Sequence, residues 1–318
     1  LFPDETAELT ASVSPANATD KSITWESKNA DVASVKNGII TARKAGETII
    51  TVKTTDGGFT AECRVTVKTA VEPKQESGIY QIGTPEELVW FAKKVNGGEN
   101  ALSAVLTSDI DLSEINWTPI GGNTVKFGGT FDGAGHVIRN LSVDYATKSS
   151  GERVYLGLFG CVEGTKDAHA VIKNFTVSGS VTAKSDYSVY SGNIAGVVAD
   201  GKHLDLSDVV SRVAVNADEN TGKACGVGGF AGVMVDCTVT DCGNEGNVSG
   251  LKDIGGFCYE LYAGTMTGCY NTGNVTAAGT YVGGIMGYAK NATIQNVYNR
   301  GAVSTTCLLY TSDAADDR

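Results

Sequence analysis

Between Ile138 and Val303 the apolar and polar positions return on a fixed beat. An apolar residue, a second apolar residue three places on and a third position two further on recur six times. The six sets are Ile138-Leu141-Val143, Ile172-Phe175-Val177, Leu206-Val209-Ser211, Val239-Cys242-Asn244, Met266-Cys269-Asn271 and Ile294-Val297-Asn299. Their first members are 34, 34, 33, 27 and 28 residues apart. In the last five sets a valine stands four residues after the third position: Val181, Val215, Val248, Val275 and Val303. Glycine-rich anchors keep the same time, as in Leu156 to Gly160, Gly192 to Gly196, Gly228 to Gly232, Gly255 to Tyr259 and Gly283 to Gly287. Periods of this size signal stacked repeats. The strands within each unit are short, alternating and β-branched, and no unit contains a helix. Stacking equivalent residues about 4.8 Å apart predicts one internal row of Leu158, Ile194, Phe230, Phe257 and Ile285. The expected fold is all-β, with a right-handed parallel β-helix over residues 79–306.

Ahead of the repeats, residues 1–69 alternate as Leu9-Ala11-Val13, Ile23-Trp25, Val32-Val35, Ile39-Ile40, Ile50-Val52 and Cys63-Val65-Val67. Turn residues separate these runs, so the pattern predicts a small antiparallel sandwich with Trp25 as core anchor. Residues 70–78 are polar, contain Pro and Gly, and read as a linker. A helix follows. Thr84 suits the N-cap, Pro85 the first turn, and Glu87 completes a capping box. Leu88, Phe91, Ala92 and Val95 then share one face, which predicts a helix covering the open end of the repeat core.

The run Ser22-Ile23-Thr24-Trp25-Glu26-Ser27, with Val32 to Val35, Gly38 to Ala42 and Ala45 to Ile50, resembles the group 2 bacterial immunoglobulin-like domain. That resemblance implies a sandwich lacking its first strand, and hence N-terminal truncation. Asp109 to Leu112, Trp117 to Gly121 and Gly129 to His136, with the later Gly-Gly-Phe-Ala-Gly turns, resemble the GLUG-motif β-helices of bacterial surface proteins. Some surface peptidases that cut immunoglobulin A carry such repeats outside their catalytic domain. Together the resemblances imply an extracellular, cell-surface bacterial module for adhesion or display, without catalysis. The alternatives are a carbohydrate-active β-helix enzyme and an accessory region of a large surface peptidase.

Forty glycines and 19% charged residues suit many turns and short strands. A formal charge of -11 argues against nucleic acid or an anionic membrane as partner; the partner expected for a surface module is a host glycan or protein. Residues 1–70 carry 8 basic and 9 acidic side chains, so of 25 and 36 in all the remainder holds 17 against 27. Of eight cysteines, Cys242 and Cys269 share an internal row with Phe175, Val209 and Val297, where a free thiol acts as a small hydrophobe; a bridge between them is the alternative. No zinc spacing is present, and no metal or cofactor is expected.

Asp109, Asp111 and Asp132 form the best carboxylate cluster, but their places beside strand ends and glycine turns favour structural roles over catalysis. His136, His169 and His203 have no spacing that pairs them with a nucleophile. Asn244, Asn271 and Asn299 are expected to stack as a structural ladder. The longer coils before Gly228 carry polar insertions near residues 147–152, 185–191 and 218–223, where solenoid specificity tends to sit. Tyr145, Tyr155, Tyr187 and Tyr190 lie in or beside them and are the candidate ligand-binding residues, since aromatic faces near polar side chains suit a sugar or protein. Residues 307–318 break every rhythm, resemble translated sequencing-adapter read-through, and are expected to lie outside the fold.

Overall fold

The computed structural model describes residues 1–146, 153–184, 191–217 and 225–305. The chain divides into two compact units, Leu1–Val71 and Glu72–Arg318. It is almost entirely β-structure.

In the first unit two three-stranded antiparallel sheets enclose a core. One joins Thr6–Glu8, Ile39–Ala42 and Ala33–Lys36; the other joins Ile23–Ser27, Gly46–Thr54 and Thr60–Val67. Val32, Ala33, Ile40, Ala42, Ile50, Val65 and Val67 form the buried cluster, with Leu9, Trp25 and Cys63 packed against it. Two expectations need correction here. Leu9 to Val13 is not a strand: the Leu9 amide donates to the Gly38 carbonyl at 2.8 Å, and the pairing goes no further. Trp25 sits on an edge strand and is only partly buried, so its ring covers the core margin.

The second unit opens with a hairpin. Lys74–Glu76, inside the stretch read as a linker, pairs antiparallel with Ile79–Ile82. The helix Pro85–Asn96 follows, with its capping box formed: Thr84 Oγ1 accepts from the Glu87 amide at 3.2 Å, and Glu87 Oε2 accepts from the Thr84 amide at 3.0 Å. Leu88, Val89, Phe91, Ala92 and Val95 are buried. The Phe91 ring packs against Tyr80, Phe127 and Phe131 at centroid distances of 6.3, 6.0 and 6.3 Å. The apolar stripe of the helix therefore faces the first rungs.

From there the strands stack in parallel, each rung over the last. One row runs Tyr80, Ala104, Phe131, Ile172, Leu206, Val239, Met266 and Ile294. A second runs Ile138, Val177, Ser211, Asn244, Asn271 and Asn299. Val143, Val181, Val215, Val248, Val275 and Val303 form a third. Two short parallel sheets of five strands complete the coils. The first contains Arg153–Leu156, Ser191–Ala195, Cys225–Gly228, Ile254–Gly255 and Val282–Gly283; the second Phe159–Glu163, Val198–Lys202, Ala231–Val235, Cys258–Tyr262 and Met286–Lys290.

These registers correct the sequence reading twice. Ile172 lies opposite Phe131, and Ile138 opposite Val177, so the first set is one strand segment out of step. The cause is the long corner Asp132 to His136, which needs two more residues between Phe131 and Ile138 than Asn174 needs between Ile172 and Val177. The internal turn row is Leu158, Val197, Phe230, Phe257 and Ile285; Ile194 belongs instead with Leu156, Val227, Ile254 and Val282. Gly196 is the counterpart of Gly229, whereas matching glycines by their spacing sets it against Gly232.

Corners need positive φ. Asn174, Asp208, Asp241 and Asn296 take it along one edge, where short polar side chains tolerate the left-handed region best.

Candidate functional site

Two of the four candidate tyrosines come together. Tyr145 stands near the end of strand Val137–Ala146 and Tyr155 on Arg153–Leu156, and both line a cleft of about 370 Å³. Tyr187 and Tyr190 lie outside the described residues.

The opposite wall is the loop 118–125, and the sequence fixes it from three sides. Asn96, at the helix end, donates from Nδ2 to the Pro119 carbonyl at 3.0 Å and accepts at Oδ1 from the Gly121 amide at 2.8 Å. Gly121 has φ +76, and a Cβ there would lie 2.3 Å from the Cys161 carbonyl oxygen, so only glycine fits. The Gly122 amide closes a turn onto the Val125 carbonyl at 2.6 Å, and the Phe127 amide bonds the Cys161 carbonyl at 2.9 Å. Beneath, Trp117 is buried and donates from Nε1 to the Leu158 carbonyl at 3.1 Å.

The cleft offers two phenol rings, the Arg153 guanidinium, the Asn123 amide and the Thr124 hydroxyl. Burial raises the Tyr155 hydroxyl pKa, and neighbouring Cys161 and Asp200 raise it further, so it stays protonated. Among the described residues the cleft lining includes no Asp, Glu, His or Cys. Such a surface can stack on a ligand and hydrogen-bond to it.

The three aspartates are engaged by backbone and amides. Asp109 accepts from the Val137 amide at 3.0 Å and from Arg139 at 2.6 Å, and those bonds lower its pKa. Asp111 accepts from Asn140 Nδ2 and from the Ser113 amide, each at 2.9 Å, with the same result. At Asp132 burial pushes the pKa up, but bonds from the Ala134 amide, Asn174 and Lys173 outweigh it and the net shift is down. All three hold corners of the first coils.

Sequence spacing missed a second grouping. His169 Nδ1 is 2.9 Å from Asp205, the His169 and His203 rings lie 5.8 Å apart, and His203 Nδ1 is 4.0 Å from Asp236. His169, His203 and Asp236 line a hollow of about 410 Å³ with Lys166 and Cys237. The signal was available: 203 minus 169 is 34, the step of the early coils. Among the described residues no group of three or more His, Cys, Asp or Glu is placed to hold a metal ion, and no helix is long and apolar enough to cross a membrane. Cys242, Cys258 and Cys269 are buried free thiols.

Residues 1–65 match the family of the bacterial Ig-like domain (group 2). Over 69 residues, 21% of the chain, it is 42% identical to an uncharacterized protein of Clostridium acetobutylicum and 42% identical to an alpha-L-arabinofuranosidase of Bifidobacterium longum subsp. longum. The matched segments cover 7% and 6% of those proteins. A candidate immunoglobulin A1 protease from Bacteroides ovatus superposes over 73% of this chain and 78% of its own, with 20% identity and a TM-score of 0.46. Residues 1–65 are thus a group 2 bacterial Ig-like domain.

Proposed function

We propose that this chain is a non-catalytic, extracellular module of a bacterial surface protein, in which the Ig-like domain serves as a stalk. On this reading the stacked coils are a right-handed parallel β-helix of the GLUG type, closed at its first rungs by the helix Pro85–Asn96 and presenting a ligand-binding face for host glycan or protein. The observation that carries it is the convergence of Tyr145, Tyr155 and Arg153 on one cleft, whose described lining offers aromatic faces and hydrogen-bonding groups to a ligand. The Ig-like domain supports the location, since such domains occur in bacterial surface proteins.

The test is a binding screen of the purified chain against host glycans and extracellular proteins, repeated with Tyr155→Ala. Binding lost in the variant supports the cleft. Equal binding by both proteins, or turnover of a polysaccharide by the wild type, overturns the reading.

A further inference from the structure

The cleft does not end at Tyr155. The first and second short sheets meet along a concave crease on the outside of the stack, and glycines make it narrow. A Cβ on Gly232 would lie 2.7 Å from Asn193 Cβ; one on Gly226 would lie 2.6 Å from Tyr259 Cδ1 and 3.2 Å from Val233 Cγ2; one on Gly287 would lie 2.9 Å from Tyr259 Cδ2. The outer faces of the two sheets therefore touch across this line.

One wall carries Tyr155, Asn193, Gly226, Asp253 and Tyr281; the other carries Asp200, Val233, Glu260 and Tyr288 in one ladder. Tyr259 lies between them, half-buried. Five rungs at about 4.8 Å span roughly 19 Å.

We propose that this crease binds a neutral oligosaccharide laid along the axis of the stack, continuing from the Tyr145–Tyr155 cleft through the shared Tyr155. The inference rests on the cleft being a ligand site. Three observations favour a sugar chain. Tyrosine rings on the first, fourth and fifth rungs offer faces for pyranose rings, and Asn193, Asp200 and Glu260 offer hydrogen bonds between them. Asn193 Oδ1 accepts from the Gly226 amide at 3.1 Å, which fixes its side chain and leaves its NH2 group for other partners.

The backbone is unsuited to an extended peptide, because the strands of both sheets pair rung to rung along the axis and present no strand edge to the crease. Fixed charge gives a polyanion no hold either. Lys126 and Lys202 both pair with Glu163 and Lys252 pairs with Asp253, while Asp200 and Glu260 on the crease wall repel an anion. Burial pushes the Tyr259 hydroxyl up to about 12 and raises the Asp200 carboxyl, so both walls keep neutral hydrogen-bonding character over a wider pH range.

Calorimetry on the full chain tests this with cellohexaose, mannohexaose and the N-acetylglucosamine hexamer, each beside its dimer, and with hexagalacturonate. The expected result is a neutral hexamer bound at least ten-fold tighter than its dimer, with hexagalacturonate weaker. Tyr259→Ala should reduce the hexamer to dimer affinity and leave the dimer unchanged; Tyr145→Ala should weaken both. Glu260→Gln, an isosteric change on the crease wall, supplies a second variant whose melting curve should match wild type, and it should weaken only the hexamer. Equal affinities for hexamer and dimer, indifference to both crease variants, or tighter hexagalacturonate overturn the crease and leave the cleft standing. No neutral sugar bound at either length overturns both.

Discussion

One interior row changes character along the stack. At Ile138 and Val177 it is aliphatic; at Ser211, Asn244 and Asn271 it is polar and equally buried. Ser211 still lies in a continuous strand, Leu204–Ala217, and the backbone changes at the asparagines. Val177 lies within a continuous strand, Ala170–Lys184, whereas the coil of Asn244 breaks into Thr238–Thr240, Gly243–Asn244 and Val248–Gly250. The break exposes corner amides and carbonyls inside the stack, and the asparagine meets them. Asn244 Nδ2 donates to the Gly246 carbonyl at 2.7 Å and to Asn271 Oδ1 at 2.8 Å, and Asn271 repeats both bonds to Gly273 and Asn299 at 2.8 and 2.7 Å. Glycine opposite makes the room: a Cβ on Gly229 would lie 2.3 Å from Asn244 Nδ2. A buried amide stabilises this core only where a corner supplies partners and a glycine supplies space.

The comparison can be broken first at its apolar side. Phe230 and Phe257 stack with centroids 4.5 Å apart and both are fully buried. Phe257→Ala should cost about 3–5 kcal/mol in urea melts. A loss under about 1 kcal/mol, far below that range, would refute the internal turn row.

Asn271→Ala should cost about 1–3 kcal/mol, because it strands the Gly273 carbonyl and unlinks Asn244 from Asn299. Val177→Asn, in the same row, should be destabilising by about 1–3 kcal/mol because no broken corner meets the new amide. A neutral Val177→Asn, with Asn271→Ala costly, would show that the corner does not decide the row's polarity.

Acid should loosen the stack further out. The Val137 amide and then Arg139 lower the Asp109 pKa, Lys126 and then Lys202 lower that of Glu163, and Arg212 lowers that of Glu245. Depressed carboxylates give stability that is present above their unfolded values of 3.8 and 4.5 and is lost as pH falls through the folded values. The urea midpoint should therefore drop between pH 6 and pH 3. Asp200 works the other way, its carboxyl raised by burial, so Asp200→Asn should raise the midpoint at pH 7 and leave it unchanged at pH 3.

The smallest effect concerns the thiols. Burial pushes Cys161 and Cys237 up to about 12 and Cys269 to about 11. Iodoacetamide at pH 8 should label the half-buried Cys63 long before any of these, read by peptide mass mapping. Rapid labelling of Cys269 in the folded protein would contradict its interior place.

Much of this was legible in the sequence. The valine row from Val181 to Val303 is read correctly, since each valine stands the same four residues after the neighbouring row. The helix is legible because Thr84 and Glu87 are local signals needing no partner. Register fails where a corner changes length without changing the motif on either side, as between Phe131 and Ile138. Tyr145 and Tyr155 are legible as residues beside insertions, but their meeting depends on the loop 118–125 pinned by Asn96, a contact 25 residues away from Gly121 that no periodicity reports. The crease is invisible for the same reason: its glycines look like turn glycines until the two sheets are placed back to back.

Because rungs follow chain order and bond along the axis, tension between the two ends of the second unit pulls those bonds apart in sequence. Each late coil of 27 residues would lengthen from one rung, about 4.8 Å, to about 90 Å of bare chain. Under load such a stack would lengthen one loop at a time, and it would wind back when the load eased.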